Sequence, residues 1–324
     1  MFFNAILLVV GVFTASTSVL MIRWSDEHPL LVAAYRLLIA VAILSPIFLR
    51  EVKKRGGGSL SDLRPTILPG LILGLHFIAW ITGARLTPAA NATLIVNMNP
   101  VAMPLFAFLL YREVLTPAEI AGTAVALAGV VLLGVADFRL SGATLAGDAL
   151  CFVAMILSTF YLALARKNRN FAGGDRPGSI WLYVVPLYAV AGLFCFAVSL
   201  FFVDPIKPYT SRNMLNIAGL AVLPTVIGHT VYNHAMRKFR GQLVAIVNLG
   251  QFIFAGIMGY FWLGETPKPL FFVSSTLVAG GACVAILLKR KRGGGAVVPG
   301  GGAVPGGAPP RRHSEEPLFI SINS

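Results

Sequence analysis

Asn97, Asn99, Asn248 and Gln251 are carboxamides set inside long apolar runs of the chain. An amide is both donor and acceptor and carries no charge, so four of them can read the polar edge of an organic molecule without holding an ion. The same groups can also bridge neighbouring helices. Two further pairs occupy similar places in their runs. His76 and Trp80 are four residues apart and His229 and Tyr232 three apart, spacings that put both members on one helix face. Imidazole beside an aromatic ring suits an amphipathic solute, through stacking and hydrogen bonding; ordinary helix packing uses such pairs equally well. Arg36 is the one cation inside an apolar run. Catalytic equipment is missing from this set. There is no His-Glu-x-x-His, no pair of carboxylates within a run and no Cys–His spacing that would activate a thiol. Cys151, Cys195 and Cys283 fall one to a run without metal-ligand spacing. The residues predict solute binding, with no enzyme activity, no metal and no cofactor.

The elements that carry these groups follow from composition. The 324 residues are 56% hydrophobic and only 12% charged, about half the charge of an ordinary soluble domain. Such a chain cannot cover a water-facing surface and must face lipid. Ten apolar runs, over 2–22, 30–49, 66–84, 88–111, 117–136, 144–165, 179–203, 213–236, 241–263 and 267–288, are each long enough for a helix across a bilayer. They lack the alternation of a barrel strand. The first begins at Phe2 with no basic segment before it and reads as a span, not a cleaved leader. The net charge of +13 sits in short clusters between runs, which argues against a nucleic-acid partner. Seventeen Lys and Arg fall in one set of alternate connections and six in the other, placing both termini in the cytoplasm, in the plasma (inner) membrane.

The chain divides after the fifth run. Shifting one half by 152 positions brings Arg85 onto Arg237, Glu113 onto Glu265, Pro117 onto Pro269, Asn99 onto Gln251 and Trp80 onto Tyr232, while the two histidines miss by one. Five spans per half force the copies into opposite orientations, a plan common in secondary transporters. The expected fold is an all-α integral membrane protein of ten transmembrane helices, arranged as two inverted five-helix repeats over 1–136 and 144–290. Residues 293–324, rich in Gly and Pro, form an expected disordered cytoplasmic tail. Pro100 and Pro104 lie mid-run and deprive the carbonyls of Val96 and Pro100 of helical partners, which marks a helix break at mid-depth.

The segments NMNPVAMPLFAFLLYREVLTPAEIAGTAVALAGVVLLG (97–134) and GQLVAIVNLGQFIFAGIMGYFWLGETPKP (241–269) resemble the fourth-and-fifth-helix signature of EamA-type transporters, in the drug/metabolite transporter superfamily. The resemblance spans about 1–290. It implies a ten-helix inverted-repeat fold with a central cavity, and carriage of small organic solutes such as amino acids, other metabolites or drugs, often as export. An Arg near the start of the second helix recurs in that family, so Arg36 has an architectural reading beside contact with a solute carboxylate. Its position, roughly 9 Å into its run at 1.5 Å per residue, also lets its head group snorkel outward.

No Asp or Glu lies mid-run, so proton coupling would fall to His76 or His229, and facilitated diffusion or exchange fits as well. Glu113 and Glu265 each precede a helix and read as capping its N-terminus and bracing the loop, with gating the alternative. Small-residue pairs, Gly70 with Gly74 and Gly122 with Ala126, allow close helix contact within one subunit or between two, leaving monomer and homodimer both open. A non-transporting scaffold or receptor acting through its tail is the alternative function; a membrane-embedded enzyme is the weaker one. Deletion of 293–324 separates carrier from scaffold. A carrier should retain at least about half its flux in proteoliposomes, since the tail adds nothing to a bilayer-spanning core.

Overall fold

The computed structural model describes residues 2–58, 63–87, 89–137, 142–167, 179–263 and 269–292. The tail from 293 and Glu265 lie outside the described residues. Helices account for the fold, and no strand occurs among the described residues. In chain order they are α1 (Phe2–Ser16), α2 (Ser18–Trp24), α3 (Pro29–Lys54), α4 (Arg64–Leu86), α5 (Ala89–Val96), α6 (Asn99–Tyr111), α7 (Pro117–Asp137), α8 (Gly142–Lys167), α9 (Trp181–Ser199), α10 (Ser211–Leu220), α11 (Thr230–Lys238), α12 (Gly241–Asn248), α13 (Gln251–Leu263) and α14 (Pro269–Arg292). A π-wound segment, Ala221–His229, joins α10 to α11.

Eight stretches among the described residues are long and apolar enough to cross a membrane. The apolar parts Pro117–Leu132 of α7 and Pro269–Ala285 of α14 are shorter than that. The protein is thus a multi-pass helical membrane protein. Helices are the available solution because lipid offers no partner to a free backbone N–H or carbonyl.

Close packing depends on missing side chains. Gly122 of α7 and Gly281 of α14 face each other so tightly that a Cβ on either would lie 2.5 Å from the other's carbonyl oxygen. Gly70 and Gly74 of α4 are seated on Val190 and Ala191 of α9. Both small-residue pairs noted in the sequence are therefore used inside the chain.

Four breaks interrupt otherwise continuous runs. Between α1 and α2, the hydroxyls of Thr14, Ser16 and Thr17 bond back to carbonyls three or four residues earlier, competing with the ladder near Thr17. Between α5 and α6 the backbone tightens: Met98 N–H bonds to Ile95 and Val101 N–H to Met98. The same happens between α12 and α13, where Leu249 N–H bonds to Ile246 and Gly250 N–H to Val247. Under the 152-residue shift these two breaks coincide, ending at Val96 and Asn248 and restarting at Asn99 and Gln251. Proline explains the first. Pro100 cannot bond to Val96, and its own carbonyl, unpartnered because Pro104 lacks an N–H, accepts from Gln242 Nε2 at 3.1 Å. The second break has no proline beside it, only Gly250. The fourth interruption is the π segment. Pro224 denies Leu220 its helical partner, and the Thr225 hydroxyl donates to that carbonyl at 2.8 Å. The one-residue mismatch between His76 and His229 falls where this winding ends.

Polar contacts gather at the two ends of the bundle. At one, Lys207 pairs with Glu27 at 2.5 Å, Arg85 donates to the carbonyls of Ser25 and Glu27, and Thr87 donates to Asp148. Burial, then Lys207 and Arg85, hold His28 below the usual imidazole range, so it is neutral and caps α3 through Nδ1. At the other end, Glu113 pairs with Arg166 at 2.7 Å and with Arg240 at 2.8 Å, and Arg240 also reaches Glu119 at 2.5 Å. Of the two expected roles, Glu113 takes the bracing one and the cap falls to another carboxylate. Arg112 adopts a left-handed φ of 54°, which ends α6 and turns the chain. Glu113 then faces two arginines, and Glu119 forms the reciprocal capping box with Thr116.

Glycine contact makes a sharp prediction. A Cβ on Gly280 meets nothing within 4 Å, whereas one on Gly281 meets backbone. Gly281→Ala should lower the melting temperature of the purified protein, at a cost of about 1–3 kcal/mol for overpacking, while Gly280→Ala leaves it unchanged.

Candidate functional site

The two breaks face each other across the bundle, and the amides flanking them form a one-way chain. Asn97 Nδ2 donates to the Thr93 carbonyl at 2.7 Å, which fixes that amide with its oxygen turned away. Asn97 Oδ1 accepts from Asn248 Nδ2 at 3.4 Å, and Asn248 Oδ1 accepts from Gln251 Nε2 at 2.5 Å. A carbonyl can only accept, so the direction of every link is set from Thr93 onward. The chain ends on the Gln251 carboxamide oxygen, left as an acceptor. Asn99 is tied elsewhere, its Oδ1 accepting from Ser158 and Thr159 of α8 at 3.0 and 2.8 Å.

The histidines are locked in opposite tautomers. His76 Nδ1 lies 2.9 Å from the Ala154 carbonyl and must carry the proton, which leaves Nε2 with a lone pair. His229 is set by a longer argument. Asn233 Nδ2 donates to the His229 carbonyl at 2.7 Å and to the Tyr161 hydroxyl at 3.1 Å. The Tyr161 hydroxyl has no other acceptor among the described residues, so its own proton is assigned to His229 Nδ1, 3.1 Å away. His229 Nδ1 is an acceptor, and in the neutral ring Nε2 bears the hydrogen. The two rings stand 6.2 Å apart, each 5.0 Å from the ring of Phe77.

All these groups border one cavity. Its lining includes His76, Trp80, Asn97, Asn99, His229, Tyr232, Asn248 and Gln251, together with Ser18, Phe77, Ser158, Tyr161 and Pro224. The open space within is about 60 Å³ measured at the centres of water-sized molecules, where one water needs roughly 10–15 Å³. Among the described residues, no side chain with a full charge lines it. His76, His229 and Gln251 thus line a narrow chamber whose walls come from both halves of the chain. No group of three or more His, Cys, Asp or Glu able to hold a metal ion occurs among the described residues.

Arg36 is the ninth residue singled out in the sequence, and it departs from the rest. It does not border the cavity and it does not snorkel. The side chain is fully buried, pointing into the bundle from α3 toward the π segment, where Nε and Nη2 donate to Thr225 Oγ1. Its head group lies over the Phe77 ring, with Cζ 4.1 Å from the centroid.

Sequence reasoning passed over Tyr161, Ser158 and Asn233. A signal existed, since Ser158, Thr159 and Tyr161 are a polar patch in the otherwise apolar middle of α8. Gln242 was also missed, and its function is to satisfy the Pro100 carbonyl that the prolines strand.

A multi-pass helical bundle enclosing a polar but uncharged cavity is the build of a membrane transport protein. The sequence profile of the EamA-like transporter family matches residues 2–135 and again 145–287, and the chain belongs to that family. It is 25% identical over 255 residues to a Bacillus subtilis protein named as the uncharacterized transporter YyaM, covering 73% of each chain. It is 26% identical over 197 residues, 59% of this chain and 61% of the other, to a probable terminal-alkyne amino-acid exporter of Streptantibioticus cattleyicolor. A solved structure described only as "Crystal structure of protein" shares the fold, with a TM-score of 0.71 over 89% of this chain and 98% of that one, at 21% identity.

The tautomer argument is open to direct measurement. Two-bond 1H–15N spectra of the imidazoles should show His76 protonated on Nδ1 and His229 on Nε2. In Tyr161→Phe the His229 signals should average between tautomers while His76 is unmoved, with a stability loss of about 1–2 kcal/mol for one buried hydrogen bond.

Proposed function

We propose that this protein is a carrier that moves a small uncharged or zwitterionic organic solute, of amino-acid, metabolite or drug-like size, by alternating access. The observation that supports this best is the convergence of eight sequence-selected residues on one cavity, supplied by both halves of the chain. Matched donors and acceptors without a full charge suit a polar solute that is neutral overall. Trp80 and Tyr232 add flat apolar surface for its organic part.

The proposed architecture is ten spans in two inverted repeats, 1–136 and 144–290. Its support is threefold: the family profile matches twice, the paired breaks at 97–98 and 249–250 keep the 152-residue shift, and polar contacts cluster at alternate helix ends. Both termini lie in the cytoplasm of this reading, because the basic connections favour that side of the plasma membrane. Rocking of one half against the other would break one end's ion pairs while keeping the other's. Export is the proposed direction, in keeping with the relative named as an exporter. The cavity residues are proposed as solute contacts, with His76, His229 and Gln251 as hydrogen-bonding groups and Arg36 outside the direct lining.

Purified protein in liposomes should speed the flux of at least one solute in a panel of amino acids, nucleosides and drug-like amines. Asn99→Leu combined with Gln251→Leu should lower that flux to below about a tenth of wild type, since unpaired polar groups on the solute then go unanswered, while the protein stays inserted and folded. Unchanged flux in this double variant would remove both amides from the site.

A further inference from the structure

Arg36 is the one Lys or Arg among the described residues that is wholly buried. None of the ion pairs found there includes it. Its Nε–H and an Nη2–H converge on a single oxygen, Thr225 Oγ1, at 3.0 and 2.9 Å. That hydroxyl gives its own proton to the Leu220 carbonyl, so its lone pairs are both turned on the guanidinium. The Phe77 ring covers the guanidinium face. Nη1, equally buried, has no hydrogen-bond partner among the described residues.

A brace for Thr225 needs only a donor. A guanidinium held by one hydroxyl and one ring leaves a whole positive charge, and both N–H groups of Nη1, without compensation away from water. The partition between this group and the cavity is one residue thick. Phe77 itself lines the cavity, where it meets His229, and Thr225 directly follows the cavity-lining Pro224. The π winding that carries Pro224 and Thr225 is itself a weak point in the helix. Contact between the chamber and the guanidinium would require the Phe77 ring to turn or the π segment to shift.

We infer that Arg36 is an anion subsite behind Phe77, and that the cargo is an amphipathic solute bearing a single carboxylate. The inference rests on the carrier reading above and narrows its substrate class. A guanidinium presents a planar fork that a carboxylate can match with two parallel hydrogen bonds. One buried cation compensates one negative charge, so of the proposed solutes a zwitterion with a single carboxylate fits, and a polyphosphate does not. The remaining polar edge of the solute meets the His76 lone pair, the His229 ring N–H and the Gln251 oxygen.

The test uses a pair of probes that differ in charge and little in shape, phenylacetate and phenylacetamide. Each is titrated into the purified full-length protein in detergent, with the melting temperature as readout. Phenylacetate should raise it and bind at least about tenfold tighter than phenylacetamide. Arg36→Gln should lose the preference, Arg36→Lys should keep it with weaker binding, and Phe77→Ala should strengthen phenylacetate binding by removing the partition. Equal responses to the two probes in wild type, no response to either, or a preference kept in Arg36→Gln each overturns the assignment. If Arg36→Gln does not fold, the wild-type comparison and Phe77→Ala still decide it. The carrier reading fails separately, by absence of flux for every solute in liposomes, whatever the probes do to the melting temperature.

Discussion

A main-chain polar group that leaves its helix inside a bilayer has to find its partner in the protein, and this requirement organises the molecule. Where the backbone breaks between α5 and α6, the Pro100 carbonyl is met by Gln242, which also donates to Thr123 Oγ1 at 2.7 Å. Where α10 gives way to the π segment, the Leu220 carbonyl is met by the Thr225 hydroxyl. Both repairs bring polar side chains to mid-depth, and once there they need partners themselves. The amides of Asn97, Asn248 and Gln251 satisfy one another in series, starting from the Thr93 carbonyl.

Direction is the consequence of that economy. A carbonyl cannot donate, so a single carbonyl at the start of a chain of amides decides which atom is left at its end. The same logic sets the histidines. Ala154 forces the proton of His76 onto Nδ1, and the Tyr161 hydroxyl, with His229 as its one acceptor among the described residues, assigns that of His229 to Nε2. A cavity built from groups that are each donor or acceptor by necessity has a fixed polarity, and it reaches that state without a full charge at its wall. Arg36, the one wholly buried Lys or Arg among the described residues, packs against Phe77, a residue of that wall.

Much of this was legible in the residues. Low charge and long apolar runs call for helices in lipid, and prolines at 100 and 104 announce a break at mid-depth. The family resemblance carried by 97–134 and 241–269 agrees with the profile match. The eight cavity residues other than Arg36 could be named because polar and aromatic groups are costly in an apolar run unless something answers them. Other features were out of reach. The second break, at Leu249 and Gly250, has no proline to mark it. The partners that Glu113 would find, Arg166 and Arg240, lie 53 and 127 positions away in sequence.

The sequence by itself determined the medium, the helical elements and the places where they falter, because hydropathy and the missing proline N–H are properties of the chain alone. Tertiary structure decided which atoms of the polar groups stay free, and that Arg36 points inward to Thr225 and not out to the lipid surface. The reason is physical. Hydrogen-bond direction and the burial of a charge depend on partners from other helices, and no local spacing says which helix will be the neighbour.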